Sequence, residues 1–302
     1  MSEHKSGEEE YLVTREKHVG PFVTQLLARG RDARMKLRSS RRFRRGLQDL
    51  SLDKSGRIKR KVGELSLLFA IRPDLLSWWI GTFFMVGSAL FAAGSVMQLY
   101  FATYFSAFAV NVTYFIGSLF FTSAAYGQLL QAINANIALL PGTKEKVKHW
   151  RWWARGLRSP GFLAAASQFI GTIFFNINTF DAFYGAHSPA GEHLLIWVPN
   201  MVGSVLFLVS SFFSWIEIYH DDFVHPFVSV TWWTVWFNII GSIFFQLSAV
   251  YGYIDPFSGA VMNGSLSIHY TLWGAVCFYL GAHLSNVEIR EAGRKKVQVP
   301  IS

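Results

Sequence analysis

The chain has 302 residues, of which 51% are hydrophobic and 17% aromatic, and its formal net charge at pH 7 is +9. Its single cysteine, Cys277, lies in an apolar stretch, so a disulfide framework and a Cys-x-x-Cys metal pair are excluded. The first apolar segment starts only near Leu65, behind several glutamates, which argues against a secretory signal and a mitochondrial presequence.

Residues 1–75 form a basic region that we predict to be cytoplasmic and partly disordered. A dense run of arginine and lysine over residues 31–45 is typical of segments that bind the anionic headgroups of the inner leaflet. Because Leu26 to Leu50 mixes apolar with basic residues, it predicts one or two helices lying on the membrane surface. The predicted lipid-contacting residues are Arg34, Lys36, Arg38, Arg41, Arg42, Arg44 and Arg45, with Lys148, Arg151 and Arg155 in a later linker. Nucleic acid is the alternative ligand of such a run, but no helix-turn-helix, zinc-finger or base-stacking pattern accompanies it.

Six apolar stretches follow, and each reaches the ~20 residues that a helix needs to cross the hydrocarbon core. None of them has Lys or Arg in its interior. The sequence therefore predicts an all-α integral membrane protein with six transmembrane helices arranged as three hairpins. The hairpins cover residues 76–134, 162–217 and 228–288; linkers at 135–161 and 218–227 separate them, and a tail at 289–302 follows.

Each stretch carries the same phrase, which is a glycine, a small residue, two apolar residues and a phenylalanine. The glycines of the six copies are Gly87, Gly117, Gly171, Gly203, Gly241 and Gly274. Three residues past each phenylalanine comes another small or polar residue, which shares a helical stripe with the glycine. Because such stripes let helices approach closely in lipid, the six glycines are predicted packing positions.

The 28 Lys and Arg fall in three places, which are the N-terminal region, the first linker and the C-terminal tail. The positive-inside rule then places both termini in the cytoplasm of a plasma-membrane protein. The second linker departs from the pattern, since it carries acidic residues and no Lys or Arg, but acidic residues count little in that rule. In the first linker, Trp150 and Trp153 share a helical face among basic residues, which is typical of a segment at the membrane interface.

Polar residues within the spans are costly in lipid unless they face protein or water. The third span is the richest in them, with Asn176, Asn178 and the carboxylate of Asp181. The candidate set for a substrate-binding pocket is Asn176, Asn178, Asp181, Asn200, Asn238, Gln246 and His269. The alternative is that these side chains form interhelical hydrogen bonds, with Asp181 reaching the outer headgroups.

Histidine and carboxylate residues gather at the end of the fourth span. The candidate metal ligands are Glu217, His220, Asp221, Asp222 and His225. Within this set, His220 and Asp221 also form a candidate base and its orienting partner. The alternative is a simple hydrated turn. The sequence has no nucleotide motif, phosphate-binding glycine loop or catalytic-triad order, so we predict no cofactor.

In the first hairpin, the segment Phe83 to Phe91 begins with an aromatic pair that stands just before the repeated Gly-small-x-x-Phe motif. The segment Tyr114 to Leu119 likewise has an aromatic pair before its Gly-Ser. In this respect the hairpin resembles the two-helix YrhK-type domain. In the third hairpin the aromatic pair before Gly241 stands one residue further out. The whole chain is also similar to six-span bacterial membrane proteins with phrases such as Gln168 to Asn176. The resemblance implies a small helical membrane protein of no assigned activity, and it transfers no catalytic residues.

Three functions stay open from the sequence. The first is passage of a small solute or ion through the helical bundle, for which the polar residues of the third span argue. The second is a non-enzymatic scaffold or assembly protein that acts through the basic N-terminal region. The third is a membrane-embedded, metal-dependent enzyme at the acidic and histidine-rich loop. The expected partners are the bilayer and its anionic inner-leaflet lipids, with a homo-oligomer left open.

Overall fold

The computed structural model describes residues 12–29, 35–45, 50–51, 71–135, 150–154, 159–184, 188–219 and 229–289. The predicted loop 218–227 and tail 289–302 lie almost entirely outside these ranges. The N-terminal elements are β1 (Leu12–Val19), β2 (Phe22–Arg29), β3 (Met35–Ser39), α1 (Ser40–Arg44) and β4 (Leu50–Ser51). The later elements are α2 (Leu76–Tyr100), α3 (Ala107–Asn134), α4 (Pro160–Tyr184), α5 (Pro189–Glu192), a π-helical turn (His193–Trp197), α6 (Val198–Ile218), α7 (Val230–Tyr251) and α8 (Gly264–Glu288).

The six long helices of the described chain form a closed ring. Each packs against the next in chain order, and α8 packs against α2, which completes the circle. The closest pairings are α2 with α3, α4 with α6, and α7 with α8, and we call these the first, second and third pairs. Because short connections join the members of each pair, the ring is built from three similar units.

Close backbone contact holds each pair together at the repeat glycines. A Cβ atom added to Gly87 would lie 2.7 Å from Cδ2 of Phe121 and 2.9 Å from the carbonyl oxygen of Gly117. In the second pair, a Cβ on Gly171 would lie 3.0 Å from the carbonyl oxygen of Gly203. The third pair repeats the arrangement, with Gly241 facing Gly274. At each of the six glycines an added Cβ would therefore lie within 3.2 Å of a backbone carbonyl oxygen of the partner helix.

Substituting Gly87 with alanine is expected to lower the free energy of unfolding by about 1–3 kcal/mol, because the new methyl group meets a rigid carbonyl. Gly264→Ala is the matched control, since the nearest atom to its added Cβ is 3.9 Å away. The control should be neutral or slightly stabilising, as glycine to alanine is within a helix. Thermal unfolding in detergent compares the two variants, and equal effects would contradict close packing at Gly87.

The outer surface of the ring is apolar, and small residues are buried where the helices meet. The residue after each repeat glycine is buried, as Ser118 and Thr172 are, whereas the next residue is exposed in five of the six copies, as Leu119 and Ile173 are. A water-soluble bundle would instead expose polar and charged side chains on this outer surface. The described helices therefore present their aliphatic side chains to a lipid environment.

Five helical segments of the described chain are long and apolar enough to cross a membrane, namely α2, α3, α4, the segment Pro189–Ile218 and α7. The prediction of a multi-pass helical membrane protein is confirmed to this extent. Helix α8 is 25 residues long but more polar, with His269, His283 and Asn286 within it. It nevertheless completes the ring between α7 and α2.

The prediction of surface-lying helices over Leu26 to Leu50 is wrong for the described residues of that segment that lie in β2, β3 and β4. The strands form a four-stranded antiparallel sheet in the order β1-β2-β3-β4. The reason lies in a period of two in β3, where Met35, Leu37 and Ser39 alternate with basic residues and Leu37 is buried. Gly20, with φ of +55°, forms the tight turn between β1 and β2. Among the residues of this segment that the structure describes, the five of α1 are the helical ones.

The sheet and α1 lie against one end of the ring, which we call the sheet end; the opposite end is the far end. Phe22 of β2 packs edge-on against Phe213 of α6, with ring centroids 6.3 Å apart. Helix α1 contacts α4 and α6 beside this sheet. The C-terminal ends of α6 and α8 therefore meet the basic N-terminal region at the sheet end.

Candidate functional site

The six phenylalanines of the repeat meet at the centre of the ring, where each is at most 6% exposed. Phe121, Phe207 and Phe278 form one layer, with ring centroids 5.7 to 6.3 Å apart. The other layer consists of Phe91, Phe175 and Phe245, and Phe245 lies 5.8 Å from each of the other two. We call these two layers the aromatic plug.

The helix direction explains why there are two layers. Each phenylalanine follows its glycine by four residues, a rise of ~6 Å along the helix. Because the glycines of a pair face each other and the two helices run in opposite directions, their phenylalanines diverge toward opposite ends. The two rings of each pair still touch, as Phe245 and Phe278 do with centroids 5.0 Å apart. The plug is therefore continuous across the axis.

A cavity adjoins each face of the plug. The sheet-end cavity has a volume of about 70 Å³ and borders Phe207 and Phe278. The far-end cavity has a volume of about 160 Å³ and borders Phe91, Phe175 and Phe245. Residues from all six long helices line each of them, so both cavities lie on the axis of the ring. Since an ordered water needs at least about 10–15 Å³ of such space, each cavity has room for several waters.

The repeat places polar groups around both cavities. Three residues before the glycines of α3, α6 and α8 stand Tyr114, Asn200 and Thr271, and all three line the far-end cavity. Eleven residues after the same glycines stand Gln128, Ser214 and Ser285, and all three line the sheet-end cavity. Each cavity is thus lined by polar side chains from the same repeat position in all three pairs.

Three of the seven predicted pocket residues border these cavities. Asn178 and Asn200 line the far-end cavity, and Asn238 lines the sheet-end cavity. The Nδ2 atom of Asn178 also donates to the carbonyl of Ile196, 2.7 Å away in the π-helical turn. The sequence-predicted set is therefore divided between two cavities on opposite sides of the plug.

The other four predicted residues do not border either cavity. Asn176 donates from Nδ2 to Oγ1 of Thr122 on α3 at 2.8 Å, and Gln246 accepts from the hydroxyl of Ser204 on α6 at 3.1 Å. These two bonds join neighbouring pairs of the ring. His269 contacts a backbone carbonyl of its own helix, and Asp181 is half-buried near the end of α4.

A buried group of ion pairs lies at the sheet end. Arg44 donates from Nη2 to Oε2 of Glu217 at 2.7 Å, and Ser40 donates to Oε1 of the same carboxylate at 3.0 Å. Arg41 and Arg45 both donate to Oε2 of Glu288, Arg41 at 3.1 Å. We call these three arginines and two glutamates the ionic collar. Its arginines also line the sheet-end cavity.

The collar follows the same threefold pattern as the plug. Glu217 and Glu288 stand fourteen residues after the glycines of α6 and α8, and the equivalent residue of α3 is Gln131. Gln131 donates to the hydroxyl of Ser77 on α2 at 2.6 Å, while Glu288 accepts from Thr231 at the equivalent position of α7. In the second unit this position is Gly161, where an added Cβ would lie 2.6 Å from Nε of Arg44. The missing side chain therefore makes room for the arginine.

The collar explains why the predicted lipid contacts differ from the structure. Arg41, Arg42 and Arg45 are at most 8% exposed, so in this conformation they contact protein and not headgroups. Arg41, Arg44 and Arg45 bind the buried carboxylates of α6 and α8 in place of the lipid phosphates that we predicted. Arg34, Lys148, Arg155 and the side chain of Arg38 lie outside the described residues, and Lys36 is half-buried. Arg151 is exposed beside three exposed tryptophans of the first linker, where lipid contact stays a prediction.

The predicted metal ligands are only partly visible. His220, Asp221, Asp222 and His225 lie outside the described residues. Both carboxylate oxygens of Glu217 accept hydrogen bonds, Oε1 from Ser40 and Oε2 from Arg44. Within the described ranges no group of three or more His, Cys, Asp or Glu side chains is placed to hold a metal ion.

Sequence reasoning missed the collar because it assigned the arginines to lipid. The repeat itself contains the signal that identifies it, since two glutamates and a glutamine occupy equivalent positions. A buried carboxylate in a membrane helix requires a cationic partner, and the basic run supplies the nearest ones.

Comparison with protein families, with characterised proteins and with solved structures gives no match for this chain. The resemblance to the YrhK-type domain therefore stays a prediction. The ring, its two cavities and the collar are the features from which a function can be inferred.

Proposed function

We propose that the protein is a six-span channel of the plasma membrane, with cytoplasmic termini, that passes a small polar solute or ion along the axis of its three hairpins. The observation that carries this proposal is the pair of axial polar cavities on either side of the aromatic plug. Under this proposal the structure is the closed state. The sheet end then faces the cytoplasm, in keeping with its basic charge.

Polar groups at the centre of a membrane bundle need water or a ligand. Amide and hydroxyl side chains from all three units converge on both cavities, and six packed helices that needed only to associate would not require them. Between the cavities, the six phenylalanines form an apolar constriction, which stops ions by excluding water. A scaffold would need neither the cavities nor a constriction that separates them.

Cysteine accessibility tests whether the two cavities are wet and separate. In a Cys277→Ala background, Asn200→Cys should react with a membrane-impermeant thiol reagent added at the far end of sealed vesicles. Asn238→Cys should be protected from that side, because the plug lies between it and the reagent. Ile243→Cys, on the exposed outer face of α7, is the control that lipid should protect.

The same variants connect accessibility to transport. In a protein whose plug is widened by replacing Phe245 and Phe278 with alanine, labelling of Asn200→Cys should block solute flux, whereas treatment of Ile243→Cys should not. An unreactive Asn200→Cys, or equal labelling of both positions from the far end, would contradict a plugged axial pathway.

A further inference from the structure

We infer that the far-end cavity is a binding site for a small uncharged polyol of about the size of glycerol, and that the channel passes solutes of this class. The second half of this inference rests on the proposed function. The binding site itself follows from the size, the charge and the lining of the cavity, and its test requires no transport.

The volume of the far-end cavity limits the size of its ligand. At about 160 Å³ this cavity is more than twice as large as the sheet-end cavity, which has about 70 Å³. A cavity of about 150 Å³ binds benzene, a molecule of about six non-hydrogen atoms. Glycerol has the same number of non-hydrogen atoms and therefore fits, whereas mannitol has twice as many and is too large.

The described residues that line the far-end cavity are all uncharged. An ion that moved from water into this cavity would lose its hydration without meeting an opposite charge, which is costly. A neutral molecule has no such cost. The sheet-end cavity differs in this respect, because three arginines of the ionic collar line it. The far-end cavity therefore favours an uncharged ligand.

Three amide side chains from three helices can hydrogen-bond such a ligand. Asn111 on α3 donates to the carbonyl of Ala182 at 2.8 Å, and Asn178 on α4 uses one N–H bond in the same way. Each of these amides keeps its carbonyl oxygen and a second N–H bond for a ligand. Asn200 on α6 is half-buried, and its amide has no hydrogen bond to any described residue. A hydroxyl group matches these amides because it both donates and accepts.

A chain of hydroxyl groups on α7 and α8 suits the same ligand. The hydroxyl oxygen of Ser248 lies 3.1 Å from that of Ser267 and 2.7 Å from that of Thr271. Because a hydroxyl group can rotate to donate or to accept, this chain can realign toward a bound molecule without movement of a helix. Amides on one side and hydroxyls on the other therefore offer partners to several hydroxyl groups of one ligand.

The aromatic plug supplies an apolar wall to the same cavity, where Phe91, Phe175 and Phe245 border it. The C–H groups of a ligand that packs against these rings leave water, which is favourable. A polyol has C–H groups along its carbon chain as well as hydroxyl groups, so it matches both the apolar and the polar walls. A planar polar molecule without C–H groups would match only the polar wall.

Ligand-observed NMR tests the site on the detergent-solubilised wild type. Saturation transfer from the protein to the C–H protons of glycerol should be saturable and should exceed the transfer from protein-free micelles. Mannitol should not compete, because it exceeds the volume of the cavity. Glycerate should not compete either, because it is close to glycerol in size but carries a charge.

A pair of variants locates the binding of glycerol. Asn200→Leu should weaken it at least about tenfold, because the loss of a buried hydrogen bond has an effect of that order. Asn176→Leu is the matched control. It removes an amide of α4 that bonds a neighbouring helix and does not border the cavity, so the affinity for glycerol should stay at the wild-type value.

Three results would overturn the site. The first is transfer from the wild type that does not exceed the transfer from protein-free micelles. The second is competition by glycerate or mannitol as strong as that by glycerol itself. The third is a folded Asn200→Leu variant with wild-type affinity. If Asn200→Leu fails to fold, the comparison of the three ligands on the wild type still decides.

Swelling of liposomes in isosmotic glycerol, followed by light scattering, tests the solute class. The variant with Phe245 and Phe278 replaced by alanine should admit glycerol at least about tenfold faster than the wild type. Halide flux through the same variant reports the open pathway whatever solute it serves. Halide flux without glycerol entry would overturn the solute class and leave the channel intact. Saturable glycerol binding without flux in any variant would support the site and contradict the channel.

Discussion

Replacing both Phe245 and Phe278 with alanine is expected to raise halide flux into liposomes by at least about tenfold, since lowering a barrier by ~1.4 kcal/mol has that effect. These two rings touch each other and belong to different layers, so their removal opens a path through the whole plug. Water can then bridge the two polar cavities, and ions no longer cross a dry constriction. An entrapped halide-sensitive dye reports the rate.

The matched control removes two phenylalanines that face outward. Phe180 and Phe212 are 41% and 55% exposed, so their double alanine variant should leave halide flux at the wild-type value. The double leucine variant at Phe245 and Phe278 retains apolar volume and should give an intermediate rate. Folded plug variants that pass no more halide than this control would show that the axis is not the route.

Replacing Glu217 with glutamine is expected to lower the free energy of unfolding by about 3–5 kcal/mol, because Arg44 then remains buried without its carboxylate. Glutamine has nearly the same volume and can still accept from Ser40, so the loss reports charge and not packing. Urea or thermal unfolding in detergent gives the value.

The double variant with Arg44→Gln and Glu217→Gln supplies the control for this effect. It removes both charges together, so it should be more stable than Glu217→Gln alone, as a coupled pair requires. Strictly additive costs of the two single substitutions would mean that the pair is not coupled, and the collar would then lose its role as a link between α1 and the ring.

Local periodicity explains which features of the protein the sequence alone predicts. The Gly-small-x-x-Phe phrase specifies one face of each helix, and the glycines that it marks lie at close backbone contacts in all three pairs. The length and apolarity of α2 to α7 are likewise properties of contiguous residues. Asn178, on the glycine stripe, lines a cavity, while Asn176 two residues earlier bonds a neighbouring helix. Side chains two positions apart on a helix point about 200° away from each other. The same periodicity therefore explains why Asn178 faces the cavity and Asn176 faces a neighbouring helix.

Long-range pairing explains what the chain alone did not reveal. The basic run could equally meet headgroups or buried carboxylates, and only the fold brings Arg44 to Glu217, 173 residues further on, and Arg45 to Glu288. The strands before α1 were likewise misassigned, because a short mixed segment becomes a sheet only when its neighbours pair with it. Six helices and the faces on which they pack follow from local patterns, since both depend on residues within one or two turns. The closure of the helices into a ring with a plugged axis and a charged collar follows from the fold, because those contacts join residues that are far apart in the chain.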